Sequence, residues 1–360
     1  MNPRKVNILA NFWLGILLFS FGCTLLDRPF LHFNTYVQYP NLIGVSELLS
    51  FAMAPSLYLS VVYFTSPGRK LTKTDFLHFI PWLLFLLHQL PFLFQSADTK
   101  LYLLTHPSPI PPNPYFGLVM FYIIKIQVVV YWILAYRKLL KHQKNIQLIA
   151  STTEYINLKW LKNFLFILAC MVLLWFNEEF FKISIISTLT PLGYVLSTYF
   201  IVYFSLRQEE IFPYPPKDQV YINEIILESE QPVINKTQRL SSEKLEQLKI
   251  ELHYRMQAEK LFLDSDLDLP DLASKMNITS HELSFVLNEG FGTNFYQFIN
   301  TYRVEEAKTL LLSEKHHHLN MLGIAYEAGF SSKTTFNTYF KKTTGLSPSQ
   351  YQATVKKQIQ

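Results

Sequence analysis

The chain is short of charge. Asp, Glu, Lys and Arg make up 16% of its 360 residues, against 49% hydrophobic ones, including thirty Phe and twenty-one Tyr. Ordinary soluble domains carry about 25% charged residues, so this composition excludes a simple soluble protein. The chain has two cysteines, Cys23 and Cys170. They fall in different apolar stretches and read as small apolar residues. It also lacks the patterns that enzymes need: no G-x-S-x-G, no phosphate loop, and no paired carboxylates beside a base. His316-His317-His318 is a consecutive run with no cysteine nearby, which suits a connecting loop better than a metal site. No catalytic residue, metal or cofactor is expected. After the first apolar stretch there is no A-x-A cleavage site, so that stretch reads as an anchor rather than a removed signal.

What is present is apolar length, all of it before residue 207. Six stretches approach the roughly 20 residues a bilayer requires. They are Ile8–Leu26, Leu42–Phe64, Phe76–Phe94, Tyr115–Tyr136, Leu161–Phe176 and Ile183–Leu206. Lys and Arg in alternate connections then give the orientation. One set holds Arg4, Lys5, Arg69, Lys70, Lys73, Arg137, Lys138, Lys141, Lys144, Lys159, Lys162 and Arg207. The other holds only Arg28, Lys100 and Lys182. Twelve against three puts the N-terminus and everything after Arg207 in the cytoplasm. Lys125 lies mid-span, where insertion costs about 2.5–3.5 kcal/mol. Glu47, His88, Glu178 and Glu179 fall in the outer half or at the outer boundary. Ionisable groups at such depths pair with one another or face a cavity. These five residues are therefore candidates for an ion pair or a small-ligand site.

Between 207 and 241 the apolar density falls, and Pro213, Pro215, Pro216 and Pro232 interrupt any pattern. This stretch reads as a cytoplasmic linker that, as a flexible coil, would span roughly 30 Å. Leu245, Leu248, Leu252 and Met256 then repeat at helical spacing, as the first helix of a C-terminal domain or as a short dimer contact.

Residues 242–360 read as that domain, and within it one arrangement occurs twice. Leu272, Ala273 and Met276 form the inner face of a short helix, followed by Asn277, which tolerates a left-handed turn. Thr279 or Ser280 caps a second helix with Leu283, Val286 and Leu287 inward. His281, Ser284 and Phe285 remain on its outer face. Downstream, Ala325–Gly329 ends a helix on a glycine turn. Phe336 and Phe340, at i and i+4, place Lys333, Thr334, Asn337, Thr338, Lys341 and Lys342 on the opposite face. Phe295, Phe298, Ile299, Tyr302, Ala307, Leu310 and Leu311 suit one long helix between the two units. Each unit is a helix-turn-helix whose second helix can enter a DNA major groove.

Residues from about 260 to 355 thus resemble the DNA-binding domain of the AraC family of bacterial transcription regulators. The resemblance rests on Leu272-Ala273, Leu283, Phe291-Gly292, Phe295, Arg303, Ala307, Leu310, Ile324-Ala325, Gly329-Phe330, Phe336, Phe340-Lys341, Thr344-Gly345, Pro348 and Tyr351. It implies two helix-turn-helix units in successive major grooves on one DNA face. Membrane-bound regulators of this type often carry seven spans. The segment Lys5–Pro67 resembles the second and third of these, so a six-span version or a late start both fit.

Charge is uneven across this domain. Residues 241–319 carry eight basic against thirteen acidic groups, whereas 320–360 carry five Lys against Glu327 alone. Phosphate contact follows positive charge, so the second unit is expected to supply most of it and dimeric binding is favoured. Expected base readers are His281, Ser284, Phe285, Lys333, Thr334, Asn337 and Thr338, and expected phosphate contacts are Ser280, Ser332, Lys341 and Lys342.

The expectation is an all-α chain in three parts. Residues 1–206 form a polytopic helical membrane bundle, 207–241 a linker, and 242–360 an AraC-type domain of two helix-turn-helix units joined by a linker helix. Such a chain is expected to be a regulator in the bacterial inner membrane, with double-stranded DNA, the lipid bilayer, an unknown small ligand and a second copy as partners. The alternative is a membrane receptor whose C-terminal domain binds a protein instead of DNA.

Overall fold

The computed structural model describes residues 6–66, 68–106, 114–177, 181, 183–229, 240–316 and 318–359. These are almost wholly helical, and no strand is present among them beyond an isolated bridge between Ala150 and Asp268. The chain divides into two compact units. The first is Met1–Lys141 with Leu158–Ile211; the second is His142–Asn157 with Phe212–Gln360.

The first unit holds α1 (Ile8–His32), α2 (Val45–Phe64), α3 (Ile80–Leu93), α4 (Ala97–Thr105), most of α5 (Pro114–Asn145), α6 (Lys159–Phe176) and α7 (Ser184–Arg207). Helix α1 packs along α2, and α6 along α7. Among the described residues, three helical stretches are long and apolar enough to cross a membrane: Ile8–His32, Pro40–Phe64 and Ser184–Arg207. A fourth is formed if α3 and α4, bent by 102°, are taken as one span. The remaining two stretches singled out in the sequence lie within α5 and α6.

Apolar side chains point outward as well as inward here. On α7, Ile185, Leu189, Leu192, Leu196 and Tyr199 are all more than half exposed, at 3-4 spacing. A soluble fold would bury such a stripe. Polar ties are internal: Gln127 donates to the Phe51 carbonyl at 3.1 Å, and Trp160 to Gln208 at 2.6 Å. Lys100, counted in the sequence as a loop cation, is buried, its Nζ donating to Asn41 and to the Leu93 carbonyl.

The second unit contains α8 (Pro216–Ser229), α9 (Ser242–Ala258), α10 (Leu269–Lys275), α11 (Ser280–Phe285), α12 (Phe295–Leu312), α13 (Met321–Glu327), α14 (Lys333–Thr344) and α15 (Pro348–Ile359). Helix α8 lies inside the stretch read above as a flexible coil. Its Ile222, Ile225 and Ile226 are buried, so apolar packing holds that part of the connection in helical form. Leu248, Leu252 and Met256 of α9 are buried within the unit too.

The other departure is the segment between α5 and α6. Ile146, Ile149, Ala150 and Ser151 are buried in the second unit. The Ile149 carbonyl accepts from Leu269 N–H at 2.8 Å, and Thr152 Oγ1 donates to the Ser265 carbonyl at 2.7 Å. Ser151 Oγ donates to the Leu267 carbonyl at 2.5 Å. A segment from between two apolar helices thereby completes the second unit.

Candidate nucleic-acid interface

Each helix from α10 to α14 starts on a side-chain cap that satisfies amides the helix leaves open. Asp268 accepts from Asp271 N–H, Asn294 from Gln297 N–H, Asn320 from Gly323 N–H and Ser332 from Thr335 N–H. Thr279, rather than Ser280, caps α11, and Glu282 reaches back to its N–H at 2.8 Å as a capping box. Asn277 takes φ +54° at the first turn and Gly329 φ +87° at the second. A Cβ on Gly329 would sit 2.5 Å from the Phe262 carbonyl oxygen, so glycine there serves close backbone approach as well as the turn.

The second unit of the pair has a continuous core. Phe330, Phe336 and Phe340 are fully buried, with ring centroids 5.2 and 5.5 Å apart, and Tyr351 of α15 lies 5.4 Å from Phe340. This fixes the rotation of α14. Lys333, Thr334, Thr338, Lys341 and Lys342 are exposed on its outer face, and Asn337 is partly so. Ser332 sits at the N-cap with its hydroxyl already engaged by Thr335. Five of the expected contact residues therefore share one helix face.

The first helix-turn-helix is different. Helix α11 buries Leu283 and runs directly into a π-helical turn, Val286–Gly290. His281, Ser284 and Phe285 are only partly exposed, as is Ser280 in the first turn. His281 Nε2 lies 2.9 Å from Glu224 Oε2 of α8, and the Tyr221 ring stands edge-on to the imidazole at 5.8 Å. The structure thus places the two sets of expected base readers in unlike surroundings.

Helix α12 joins the units and carries a group whose role the sequence did not reveal. Arg303 is completely buried. Its Nε donates to the Phe262 carbonyl at 2.8 Å, and its Nη2 to the Asp264 carbonyl at 2.7 Å and Ser151 Oγ at 3.0 Å. Asn300, also buried, donates to the Ser151 carbonyl at 3.0 Å. Burial lowers the Arg303 pKa to about 10, opposed by the carboxylates of Asp264 and Asp266. The guanidinium stays charged at neutral pH but is unavailable to a phosphate. Asp268 is pushed up to about 6, chiefly by burial, while the Asp271 N–H and the Tyr214 hydroxyl favour its charged form.

Of the candidate membrane groups, Glu47 lies in the first turn of α2 and is exposed, as is His88 on α3, and Lys125 is partly buried on α5. Glu178 and Glu179 fall outside the described residues. A cavity of about 260 Å³ opens in the first unit, lined by Leu17, Phe21, Thr24, Ser50, Met53, Trp132, Met171, Tyr194 and further apolar side chains. Glu47, His88 and Lys125 are not among its lining residues. Among the described residues no group of three His, Cys, Asp or Glu could hold a metal ion.

Residues 272–354 match a family described as a helix-turn-helix domain. An uncharacterised HTH-type transcriptional regulator of Staphylococcus aureus strain COL is 33% identical over 102 residues, which is 28% of this chain and 12% of that protein. One from strain MSSA476 matches to the same extent. The chain therefore spans about an eighth of the length of these curated relatives. Among solved structures, the C-terminal domain of the two-component response regulator yesN from Fusobacterium nucleatum is 31% identical. The match covers 29% of this chain and 98% of that one, with a TM-score of 0.26.

Proposed function

We propose, from the premise that residues 272–354 form an AraC-type helix-turn-helix domain, that this chain is a membrane-tethered transcription regulator. It binds DNA sequence-specifically and couples a membrane or periplasmic signal to promoter binding. The observation that carries this reading is the face of α14, where Lys333, Thr334, Thr338, Lys341 and Lys342 stand out over a core locked by Phe336 and Phe340. A helix so rotated presents side chains of the right reach and charge to a major groove. Lys333, Thr334, Asn337 and Thr338 read bases there, and Lys341, Lys342 and the N-terminus of α14 at Ser332 hold phosphates. His281, Ser284 and Phe285, with Ser280 at the backbone, do the same for the first helix-turn-helix.

The outward apolar stripe of α7 and the long apolar helices support a bilayer around the first unit. The Lys and Arg asymmetry supports a cytoplasmic second unit. The first-unit cavity suits a small, largely apolar ligand, and the sparse positive charge of the first helix-turn-helix favours binding as a dimer. The test is retention of random-sequence DNA by the full-length protein in lipid nanodiscs as salt is varied. Affinity should fall steeply and linearly on logarithmic axes. No retention at low salt would refute the DNA reading and leave a protein partner for the C-terminal domain.

A further inference from the structure

We infer that helix α8 is a built-in cover over the first helix-turn-helix unit, keeping its base-reading face from DNA until the helix lifts away. This rests on the DNA-binding reading above.

Helix α8 packs on α11, the helix that would enter the groove. Its Tyr221 and Glu224 both engage His281, whose side chain is left 13% exposed while that of Glu224 stays 53% exposed. An ion pair so open to solvent contributes little by itself. What holds α8 is its apolar stripe: Ile222, Ile225 and Ile226 are 0, 4 and 8% exposed.

Size and charge then decide the outcome. The major groove is about 12 Å wide, and one helix with its side chains is about 10–12 Å across. A groove that admits α11 alone cannot admit α11 with α8 lying against it. Glu224, beside His281, also carries negative charge at the surface a phosphate backbone would approach. The second helix-turn-helix contrasts with this, since Lys333, Thr334 and Thr338 are exposed. In this state the chain has one reading helix ready and one covered.

The test compares the full-length protein in nanodiscs with two variants, each used to select from a pool of random-sequence DNA duplexes. Ile225→Asp breaks the apolar hold with a buried charge, and Ile222→Ala with Ile226→Ala weakens it without introducing one. With one copy loaded per nanodisc, the parent should recover a motif of one block. Both variants should recover two blocks separated by one turn of DNA, about 10 base pairs, and bind at least about fivefold more tightly. If Ile225→Asp fails to fold by circular dichroism, the double variant decides. A two-block motif from the parent, or variants that match the parent in motif and affinity, would overturn the cover. If neither parent nor variants retain DNA, the DNA-binding reading falls and the cover with it.

Discussion

Ser151→Ala should loosen the second unit even though Ser151 is encoded more than a hundred residues before the two residues it bonds there, Leu267 and Arg303. Its Oγ both donates to the Leu267 carbonyl and accepts from the Arg303 guanidinium. Alanine leaves one buried N–H of a charged group and one buried carbonyl without that partner. Losing a hydrogen bond to a charged group costs about 1.5–3 kcal/mol, and a neutral one about 1 kcal/mol. Arg303 keeps Phe262 and Asp264, so about 2–3 kcal/mol is expected in all. That corresponds to roughly 30- to 150-fold faster amide exchange if the affected region opens as one body. Hydrogen exchange read by mass spectrometry on the full-length protein would resolve peptides covering 262–268 and 296–303. Thr152→Ala, which removes a single neutral bond at the partly exposed Thr152, should cost about 1 kcal/mol. Exchange in Ser151→Ala within about twofold of the parent would refute the assignment of segment 146–152 to the unit.

Lys333→Ala should change sequence preference by about 1–3 kcal/mol at one base position, whereas Lys341→Ala or Lys342→Ala should weaken all sequences alike and flatten the salt slope. Uniform weakening by Lys333→Ala in a binding selection would show that the rotation of α14 on DNA has been misjudged. Reporter fusions after Arg69 and after Lys144 should read cytoplasmic, and those near Pro109 and after Glu179 periplasmic. A periplasmic signal after Arg207 would defeat the regulator reading. Asp268 has a folded pKa of about 6 against an ordinary 3.8. Its contribution to stability is therefore full below pH 4 and lost as pH rises through 6, a change of about 2–3 kcal/mol. Asp268→Asn keeps a capping side chain and should flatten that decline in denaturation midpoints between pH 4.5 and 7; an unchanged pH profile would contradict it.

The two helix-turn-helix units were legible because their signals are local. Asn277 and Gly329 mark turns, Thr279 or Ser280 marks a helix start, and Phe336 with Phe340 sets a helix face within five residues. Helix α8 does carry a signal in the sequence, since Ile222, Ile225 and Ile226 stand at i, i+3 and i+4, but the flanking prolines read more strongly as coil. The segment 146–152 had none. Its partners lie 113 to 152 residues away in sequence, and nothing about a lone serine announces a buried guanidinium. Arg303 misled in a second way, since a tally of cations counts it among groups available to DNA. In the first unit, the outward Ile185, Leu189, Leu192, Leu196 and Tyr199 reproduce what apolar length alone had suggested.

The inserted segment also bears on where such a regulator can act. Some tethered factors are set free by a protease that cuts the connection to the membrane, after which the soluble half diffuses to its gene. Cleavage after Arg207 would not do that here, because residues 142–157 would stay behind with α5 and α6, taking Ser151 from Arg303 and Ile149 from Leu269. The released fragment would be an incomplete fold rather than a messenger. On the proposed reading the chromosome must then come to the protein, and a promoter under its control works at the inner surface of the membrane.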